Sequence, residues 1–488
     1  MLDGVNGDKV GGLVENEFEY TYDTFLNRVT NVRFLNGTGR KLLDSSSFNK
    51  PPPVITSLTI LARICSTTPV TMSTGQMQTV INMLDPYVAS CSYGKTRMPA
   101  DGVSNIVIGP INIPCKGYVT DAKYAWSGST CTGIDYLGWM DYATNYVKTS
   151  LGINPDKYDH KILILFGVET LCQWAGMGAV QCTPPGCFVW IQRLSATMIE
   201  TILHELGHNL GVLHSSTLND TYGDYSCVMG SCCGARCFSV YPSSKFGWSN
   251  PIPGGKMVSP IAGLWTSYVL PGLLASDYNH ISVSIPGLNN GIFYMSFRTP
   301  FGFDANLMQY LQNKVYVHYL TIKDENTLQR PFRYAILAQG EKYIDSASTL
   351  VFKADTIIPN INAYISFCLP TGPYEICGDG LDNDCNGLID SYDPACYGVN
   401  PSPSPPPPPP PTVTPYCGDG ICNGNENVSN CVVDCHFCGD KICTWPYETS
   451  INCPIDCSPS PPPPPSPTPN SPPPPPPPTT DTCYCCCQ

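Results

Sequence analysis

Three of the seven histidines in the chain lie within eleven residues, in a spacing that is typical of a metal site. The segment reads His204-Glu205-Leu206-Gly207-His208-Asn209-Leu210-Gly211-Val212-Leu213-His214, an HExxHxxGxxH pattern. On an α-helix, positions 204 and 208 differ by about 40° in azimuth, so both imidazoles project from one face. Three neutral imidazoles leave a fourth position on Zn²⁺ open for water, which is typical of a catalytic rather than a structural zinc site.

A helix and a turn must bring these side chains together. Apolar residues recur at helical spacing around the motif, at Met198, Ile199, Ile202, Leu203, Leu206 and Leu210. Thr197 with Glu200 predicts a capping box at the start of this helix. Beyond it, Gly211 tolerates the positive φ that a sharp turn can require, and this turn would return His214 to the same metal.

We therefore predict that His204, His208 and His214 bind zinc and that Glu205 is the catalytic base. Glu205 would accept the proton of the attacking water and pass it to the leaving amine. The competing interpretation is a buried helix with incidental histidines. It would leave many buried polar atoms in need of partners.

The motif and its surroundings resemble a known family. HExxHxxGxxH is similar to the metzincin signature, which implies a Met-turn beneath the zinc. Met229, fifteen residues after His214, fits that role; an ordinary core methionine is the alternative. Together with YGDYSCVMG, the cysteines at 232, 233 and 237, and Phe246-Gly247-Trp248, the pattern over about 54–370 resembles the gametolysin family of cell-wall-degrading algal metalloproteases.

The resemblance implies a substrate class. Gametolysins act on the extracellular matrix or cell wall, so we expect hydroxyproline-rich glycoproteins as the protein substrates. The substrate should lie extended along an edge strand, for which the sequence suggests Cys187–Ile191. A structural cell-wall glycoprotein with an inactive protease-like domain is the alternative function, and a zinc hydrolase of non-peptide bonds is a third.

Composition narrows the partners and the compartment. The net charge is −13 and the pI near 4.9, which argues against nucleic acid as a partner. The longest strongly apolar run, Ile162 to Val168, is far shorter than the roughly 20 residues of a membrane span. The 27 cysteines favour an oxidising compartment, so we predict a secreted protein of the matrix or cell wall. Because Met1 to Gly7 lack a signal-peptide pattern, we expect an incomplete N-terminus.

The predicted fold class is α+β: a metzincin-like zincin catalytic domain with a twisted sheet and an active-site helix, followed by a β-rich domain and small disulfide-rich modules. Within the catalytic domain, residues 161–166 predict a buried strand and residues 134–151 a helix. Composition changes mark the boundaries between these parts. The expected parts are an N-terminal extension or pro-segment remnant (1–53), the catalytic domain (54–252), the β-rich domain (253–370), a calcium-loop-like module (371–398), a Pro-rich linker (399–416), two Cys-rich repeats (417–457), a second Pro-rich linker (458–480) and a Cys-rich tail (481–488).

Half of the 50 prolines lie within 401–415 and 458–480. Such tracts predict extended polyproline helices, either stiff spacers or matrix segments. Between them, a repeat of about 21 residues is too short for an apolar core, so disulfides should hold it, with zinc as the competing idea. The cysteines at 483 and 485–487 suit matrix cross-linking.

A second metal site is predicted in an acidic loop. Oxygen donors stand at Asp382, Asp384, Asn386, Asp390 and Asp393, at positions 1, 3, 5, 9 and 12 of a calcium-binding loop. Gly387 occupies the sharp turn, and Leu388 would offer its carbonyl. Asp393 replaces the usual bidentate glutamate, which should weaken Ca²⁺ binding. The alternative is an Asx-rich turn stapled by Cys377, Cys385 or Cys396.

Overall fold

A computed structural model describes residues 52–67, 69–120, 122–231, 234–286, 291–321 and 329–397, together with the backbone of two N-terminal strands. These two strands, β1 (Phe18–Asp23) and β2 (Arg28–Phe34), pair antiparallel. All of the described residues belong to one compact unit. None of its helices is long and apolar enough to cross a bilayer. The predicted Pro-rich linkers, Cys-rich repeats and Cys-rich tail lie outside the described residues.

The region that contains the histidine motif has five helices and seven strands. The helices are α1 (Thr74–Asn82), α2 (Leu84–Cys91), α3 (Gly133–Ser150), α4 (Ile199–Asn209) and α5 (Val240–Lys245). The strands are β3 (Ser57–Ile64), β4 (Asn105–Ile113), β5 (Lys116–Val119), β6 (Tyr124–Ser127), β7 (His160–Phe166), β8 (Gly176–Gly178) and β9 (Cys187–Gln192).

Five of these strands form the central sheet, in the order β4-β3-β7-β9-β8. The first four run parallel, and β8 is antiparallel to β9. The predicted buried strand at 161–166 and the predicted helix at 134–151 are confirmed as β7 and α3. The expectation that Cys187–Ile191 is an edge strand is wrong, because β9 pairs with β7 on one side and β8 on the other. The edge is β8.

Helices cover both faces of the central sheet. Alternate residues of β7 point to opposite sides, as the two-residue period of a strand requires. Ile162 and Ile164 pack with residues of α1, α2 and α4 in one core, and Leu163 and Leu165 pack with α3 in another. Since both faces are buried, the strand is apolar throughout rather than alternating.

The following region is rich in β-structure, as predicted, and forms two facing sheets. Its strands are β10 (Asn250–Val258), β11 (Thr266–Pro271), β12 (Tyr278–Ser284), β13 (Gly291–Arg298), β14 (Lys314–Thr321), β15 (Pro331–Leu337), β16 (Lys342–Ile344), β17 (Val351–Ile358) and β18 (Asn362–Cys368). The sheets have the orders β10-β12-β13-β14-β15 and β11-β18-β17-β16. Inward residues of both sheets share one apolar core, so this region is a sandwich.

Six disulfides connect the described residues. Cys368–Cys385 and Cys377–Cys396 staple the acidic loop after β18. Cys227 is the free cysteine among the described residues, and it is buried. The number of disulfides agrees with the predicted oxidising compartment.

Two glycines enclose the buried indole of Trp126. A Cβ at Gly138, inside α3, or at Gly117, on β5, would overlap this ring. We expect Gly138→Ala to lower the free energy of unfolding by about 1–3 kcal/mol, since overpacking outweighs the better helix propensity of alanine. The matched control is Gly75→Ala in α1, where the nearest atom is 4.0 Å away. This control should stabilise the protein by less than about 1 kcal/mol. Urea denaturation measures both, and a loss of equal size in the two variants would contradict the packing argument.

Candidate metal centre

Helix α4 carries the first two histidines and the glutamate of the motif. His204, Glu205 and His208 are all buried, and the helix ends at Asn209. The predicted capping box is wrong. Met198 is the N-cap residue, and its side chain makes no capping hydrogen bond. Thr197 lies one position before this N-cap residue. The helix therefore depends on packing of its apolar face, through Ile202, Leu203 and Leu206, rather than on a cap.

The chain reverses immediately after α4. Gly211 has φ of +89°, in the left-handed region that glycine occupies without strain. Its carbonyl oxygen accepts a hydrogen bond from Nζ of Lys245, at 2.5 Å, and Lys245 is the last residue of α5. This turn brings His214 back to the face that His204 and His208 present.

The three imidazoles converge. One ring nitrogen each from His204, His208 and His214 lies within 4.8 Å of the other two. The ring centroids are 4.7–5.2 Å apart. Nε2 of His208 lies 3.0 Å from Nε2 of His214. Two nitrogens bound tetrahedrally to one zinc at about 2.05 Å would be about 3.3 Å apart, so the spacing fits a shared ion.

Backbone carbonyls fix the tautomers of two of the rings. Nδ1–H of His204 donates to the oxygen of Val228 at 2.8 Å, and Nδ1–H of His208 donates to the oxygen of Val212 at 2.9 Å. Each Nε2 therefore keeps its lone pair when the ring is neutral. Such a bond from the far nitrogen is the usual support of a metal-binding histidine. The donor set of three imidazoles is thus chemically suited to zinc.

Burial also keeps the third ring neutral. The pKa of His214 is held well below its usual range. Burial is the largest cause, and the charges of the nearby His204 and Arg330 lower the pKa further. A neutral imidazole is the form that binds a metal. The pocket therefore presents His214 in its binding form over the ordinary pH range.

Glu205 lies between α4 and the edge strand β8. Burial raises the pKa of its carboxyl group well above the ordinary value. A Cβ at Gly176 would lie 2.7 Å from Oε1 of Glu205, and one at Gly178 would overlap the carbonyl oxygen of Glu205. Only glycine at these two positions allows the edge strand to approach the carboxylate and the backbone of Glu205 so closely.

Met229 lies beneath the helix, at the position predicted for a Met-turn. A Cβ at Gly207 would be 2.5 Å from its Sδ, so the sulfur fills the space under the helix between the two histidines. The carbonyl oxygen of Met229 accepts a hydrogen bond from the backbone N–H of Ser215, at 2.9 Å. The methionine segment thereby contacts both the helix and the loop of the third histidine.

Sequence reasoning missed Tyr222. Its ring centroid is 4.1 Å from that of His214 and 6.4 Å from that of His204, so it forms one wall of the histidine cluster. The carbonyl oxygen of Tyr222 accepts a hydrogen bond from Ser231 N–H at 2.7 Å, which joins it to the Met229 segment. The sequence offered one signal, an aromatic residue between the third histidine and the methionine.

Asp224 was also missed, and it is buried close to the same loop. Nε2–H of His318 donates to its Oδ2 at 3.0 Å, and the Arg333 guanidinium is 3.4 Å from Oδ1. Burial alone would raise the pKa of Asp224, but the hydrogen bond and charge of His318, the charge of Arg333 and a bond from Ser226 together lower it. Asp224 is therefore an ionised carboxylate in the protein interior.

The predicted calcium loop has a different arrangement from its sequence pattern. Carboxylate oxygens of Asp382 and Asp384 lie within 4.8 Å of one another and of Glu375, which the sequence pattern does not include. Asp390 instead accepts hydrogen bonds from the backbone N–H groups of residues 378–380. Nδ2 of Asn386 donates to Asp384 and to Asp393, at 3.1 and 2.6 Å.

Comparison with known proteins gives two findings. The family model of the gametolysin peptidases, M11, matches residues 68–348. The chain is also similar to the autolysin of Chlamydomonas reinhardtii, with 25% identity over 411 residues. The matched part is 64% of this chain and spans 63% of the length of that relative.

Because the Asp224 carboxylate is buried and paired, we expect the free energy of unfolding of the protein to depend on pH. Its pKa in the folded chain is below the value of about 3.9 in an unfolded chain, so its stabilisation is complete above that pH and is lost as the pH falls below it. We expect Asp224→Asn to lower the free energy of unfolding by about 1 kcal/mol more at pH 6 than at pH 3. Urea denaturation at the two pH values measures this. A difference between wild type and variant that is independent of pH would contradict it.

Proposed function

Since the chain belongs to the gametolysin peptidase family M11, we propose that it is a zinc-dependent endopeptidase whose metal is held by His204, His208 and His214. The observation that carries this proposal is the convergence of three buried imidazoles beside a buried glutamate. Zinc in this site supplies a Lewis acid, which lowers the pKa of a coordinated water and polarises a carbonyl oxygen.

Glu205 is the proposed catalytic base. Its carboxylate accepts the proton of the attacking water and returns it to the leaving amine. Burial raises the pKa of Glu205, which makes the ionised form a stronger base, and a cation bound nearby favours that ionised form. The low dielectric around the carboxylate strengthens its interaction with the developing charges.

The peptide substrate is proposed to bind along β8. This strand is the edge of the central sheet that lies beside α4, and its glycines contact Glu205. An extended peptide that pairs with it therefore passes the catalytic carboxylate. This assignment replaces β9, which has no free edge.

A metzincin-like catalytic domain is the corresponding proposal for the fold. Four parallel strands with one antiparallel edge strand, the turn at Gly211 and Met229 under the helix all support it. The domain boundaries at 252 and 370 belong to the same proposal, because they follow the change from the mixed region to the sandwich.

The proposed substrates are glycoproteins of the extracellular matrix or cell wall. The resemblance to gametolysins implies this class, and the similar protein carries the name autolysin. The six disulfides support a secreted protein. The Pro-rich and Cys-rich segments after residue 398 are proposed to attach the enzyme to the matrix.

Weak calcium binding is proposed for the acidic loop after β18. Asp382, Asp384 and Glu375 offer oxygens close enough to share one ion, and two disulfides hold the loop. Asn386 donates hydrogen bonds to Asp384 and to Asp393 and so holds Asp393 near the cluster, where these two residues can complete the shell. Asp390 is engaged with backbone N–H groups and is expected to stabilise the loop instead.

Glu205→Gln separates metal binding from catalysis. We expect this variant to keep one zinc per chain, because the ligands are intact, and to lose at least about 100-fold in turnover, because the general base is gone. The measurement is cleavage of gelatin and of isolated wall glycoproteins, with zinc content determined in parallel. His208→Ala is the companion variant, which should lose the metal as well.

Three outcomes distinguish the candidate functions. Cleavage by the wild type that a chelator abolishes and zinc restores supports the endopeptidase. Wild-type proteolysis by Glu205→Gln would end the assignment of the base. A wild type that binds zinc but cleaves neither protein would favour the structural wall protein.

Calcium binding can be measured by calorimetry on the full chain. We expect saturable heat with a Kd of about 10⁻⁴–10⁻³ M, the range of weak extracellular sites. Asp384→Asn should weaken binding, because it removes a ligand charge. Asp355→Asn, at a carboxylate 2.9 Å from Lys353 on β17, is the matched control and should bind as the wild type does. Absence of heat at millimolar calcium would reject the site.

A further inference from the structure

The sandwich region contacts the backbone next to two of the three histidines. On one side, β15 forms a parallel bridge with the loop that carries His214. Ser216 N–H donates to the carbonyl oxygen of Pro331 at 3.0 Å, and Arg333 N–H donates to the oxygen of Ser216 at 2.7 Å. Ser216 is only two residues after His214. A strand of the second region thus fixes the backbone of the third ligand's loop.

Asp224 adds a side-chain connection at the same place. Its backbone N–H donates to the oxygen of Ser215 at 3.2 Å, directly after His214. Its carboxylate accepts the hydrogen bond from His318 on β14 and lies beside Arg333 on β15. His318 and Asp224 are both almost fully buried. A buried ion of this kind needs its partners, since the removal of one leaves an uncompensated charge.

An independent connection reaches His204. Arg298, at the end of β13, forms a buried pair with Asp304, whose Oδ1 accepts a hydrogen bond from Cys237 N–H at 3.0 Å. The oxygen of Cys237 accepts from Val228 N–H at 3.3 Å. The oxygen of Val228 is the acceptor that fixes the tautomer of His204.

The remaining histidine has a local contact of its own. His208 bonds through Nδ1 to Val212, within the turn that follows its own helix. The sandwich therefore acts on the ligand carried by the loop, His214, and on the carbonyl that orients His204. Helix α4 and the turn that follows it position His208.

We propose that the sandwich region is a structural part of the metal centre, and that His318 and Arg333 are positioning residues that hold the His214 loop through Asp224. The inference rests on the proposed zinc site. Because the loop between residues 210 and 230 has no regular secondary structure, its conformation depends on these contacts. Loss of such outer contacts usually weakens metal binding by about 10- to 100-fold.

The test measures zinc affinity of the full chain by competition with a fluorescent chelator. We expect His318→Leu to raise the zinc Kd about 10- to 100-fold, because Asp224 loses its donor. His318→Gln keeps an N–H donor near the same position and should bind zinc nearly as the wild type does. Arg333→Met should also raise the zinc Kd, but by a smaller factor, since the guanidinium of Arg333 is farther from Asp224 than the ring of His318 is.

A matched control lies elsewhere between the same two regions. Lys95 and Asp277 form an ion pair of 2.8 Å, and both side chains are about one-third exposed. Asp277→Asn removes this pair without touching the His214 loop, so its zinc Kd should remain that of the wild type. Circular dichroism of the metal-free proteins establishes that each variant is folded, and Arg333→Met decides the question if His318→Leu does not fold.

Two results would overturn the inference. The first is that Arg333→Met and His318→Leu are both folded and bind zinc with the same Kd as the wild type. The other is an equal loss of affinity in Asp277→Asn, which would indicate general loosening rather than support of one ligand. A wild-type protein that binds no zinc would instead refute the metal site itself, and the inference with it.

Discussion

Three imidazoles buried against one another impose a condition on the whole surrounding chain. Each ring must stay neutral and must keep a lone pair directed at the same point, since a protonated ring has none to offer. Burial lowers the pKa of His214, and the carbonyls of Val228 and Val212 fix the tautomers of the other two rings. The site therefore depends on where these carbonyls are held as much as on the helix that carries two of the histidines.

The carbonyls belong to irregular backbone, which has no ladder of hydrogen bonds to define it. The protein compensates with contacts from regular elements. Lys245 of α5 binds the carbonyl of Gly211, and the sulfur of Met229 packs under Gly207 of α4. Strands β14 and β15 reach the other end of the same loop through Asp224 and Ser216. The loop is thus constrained from the helix side and from the sandwich side.

The parts that sequence predicted are those determined by local pattern. The metal motif, the apolar strand at 161–166 and the helix at 134–151 can each be read from a short window, and the structure agrees on the strand and the helix. The order of strands in a sheet is not local, which is why Cys187–Ile191 was misassigned to the edge. His318 is 94 residues from Asp224, and no spacing in the sequence connects a lone histidine on an apolar strand to a loop so distant.

The edge strand β8 illustrates the same limit. Its sequence, Gly176-Met177-Gly178, has no β-favouring pattern, because two of its three residues have no side chain. In the sheet, Met177 packs towards α3, while both glycines face α4, Gly176 at the Glu205 carboxylate and Gly178 at the Glu205 backbone carbonyl. The lack of side chains that conceals the strand in the sequence is therefore what brings this edge of the sheet close to Glu205, the proposed catalytic base. Since the strand has only three residues, a peptide paired with it can make few backbone hydrogen bonds there. For the proposed peptide substrates, selection must then depend on side-chain contacts around the histidine cluster, where Tyr222 forms the wall beside His214.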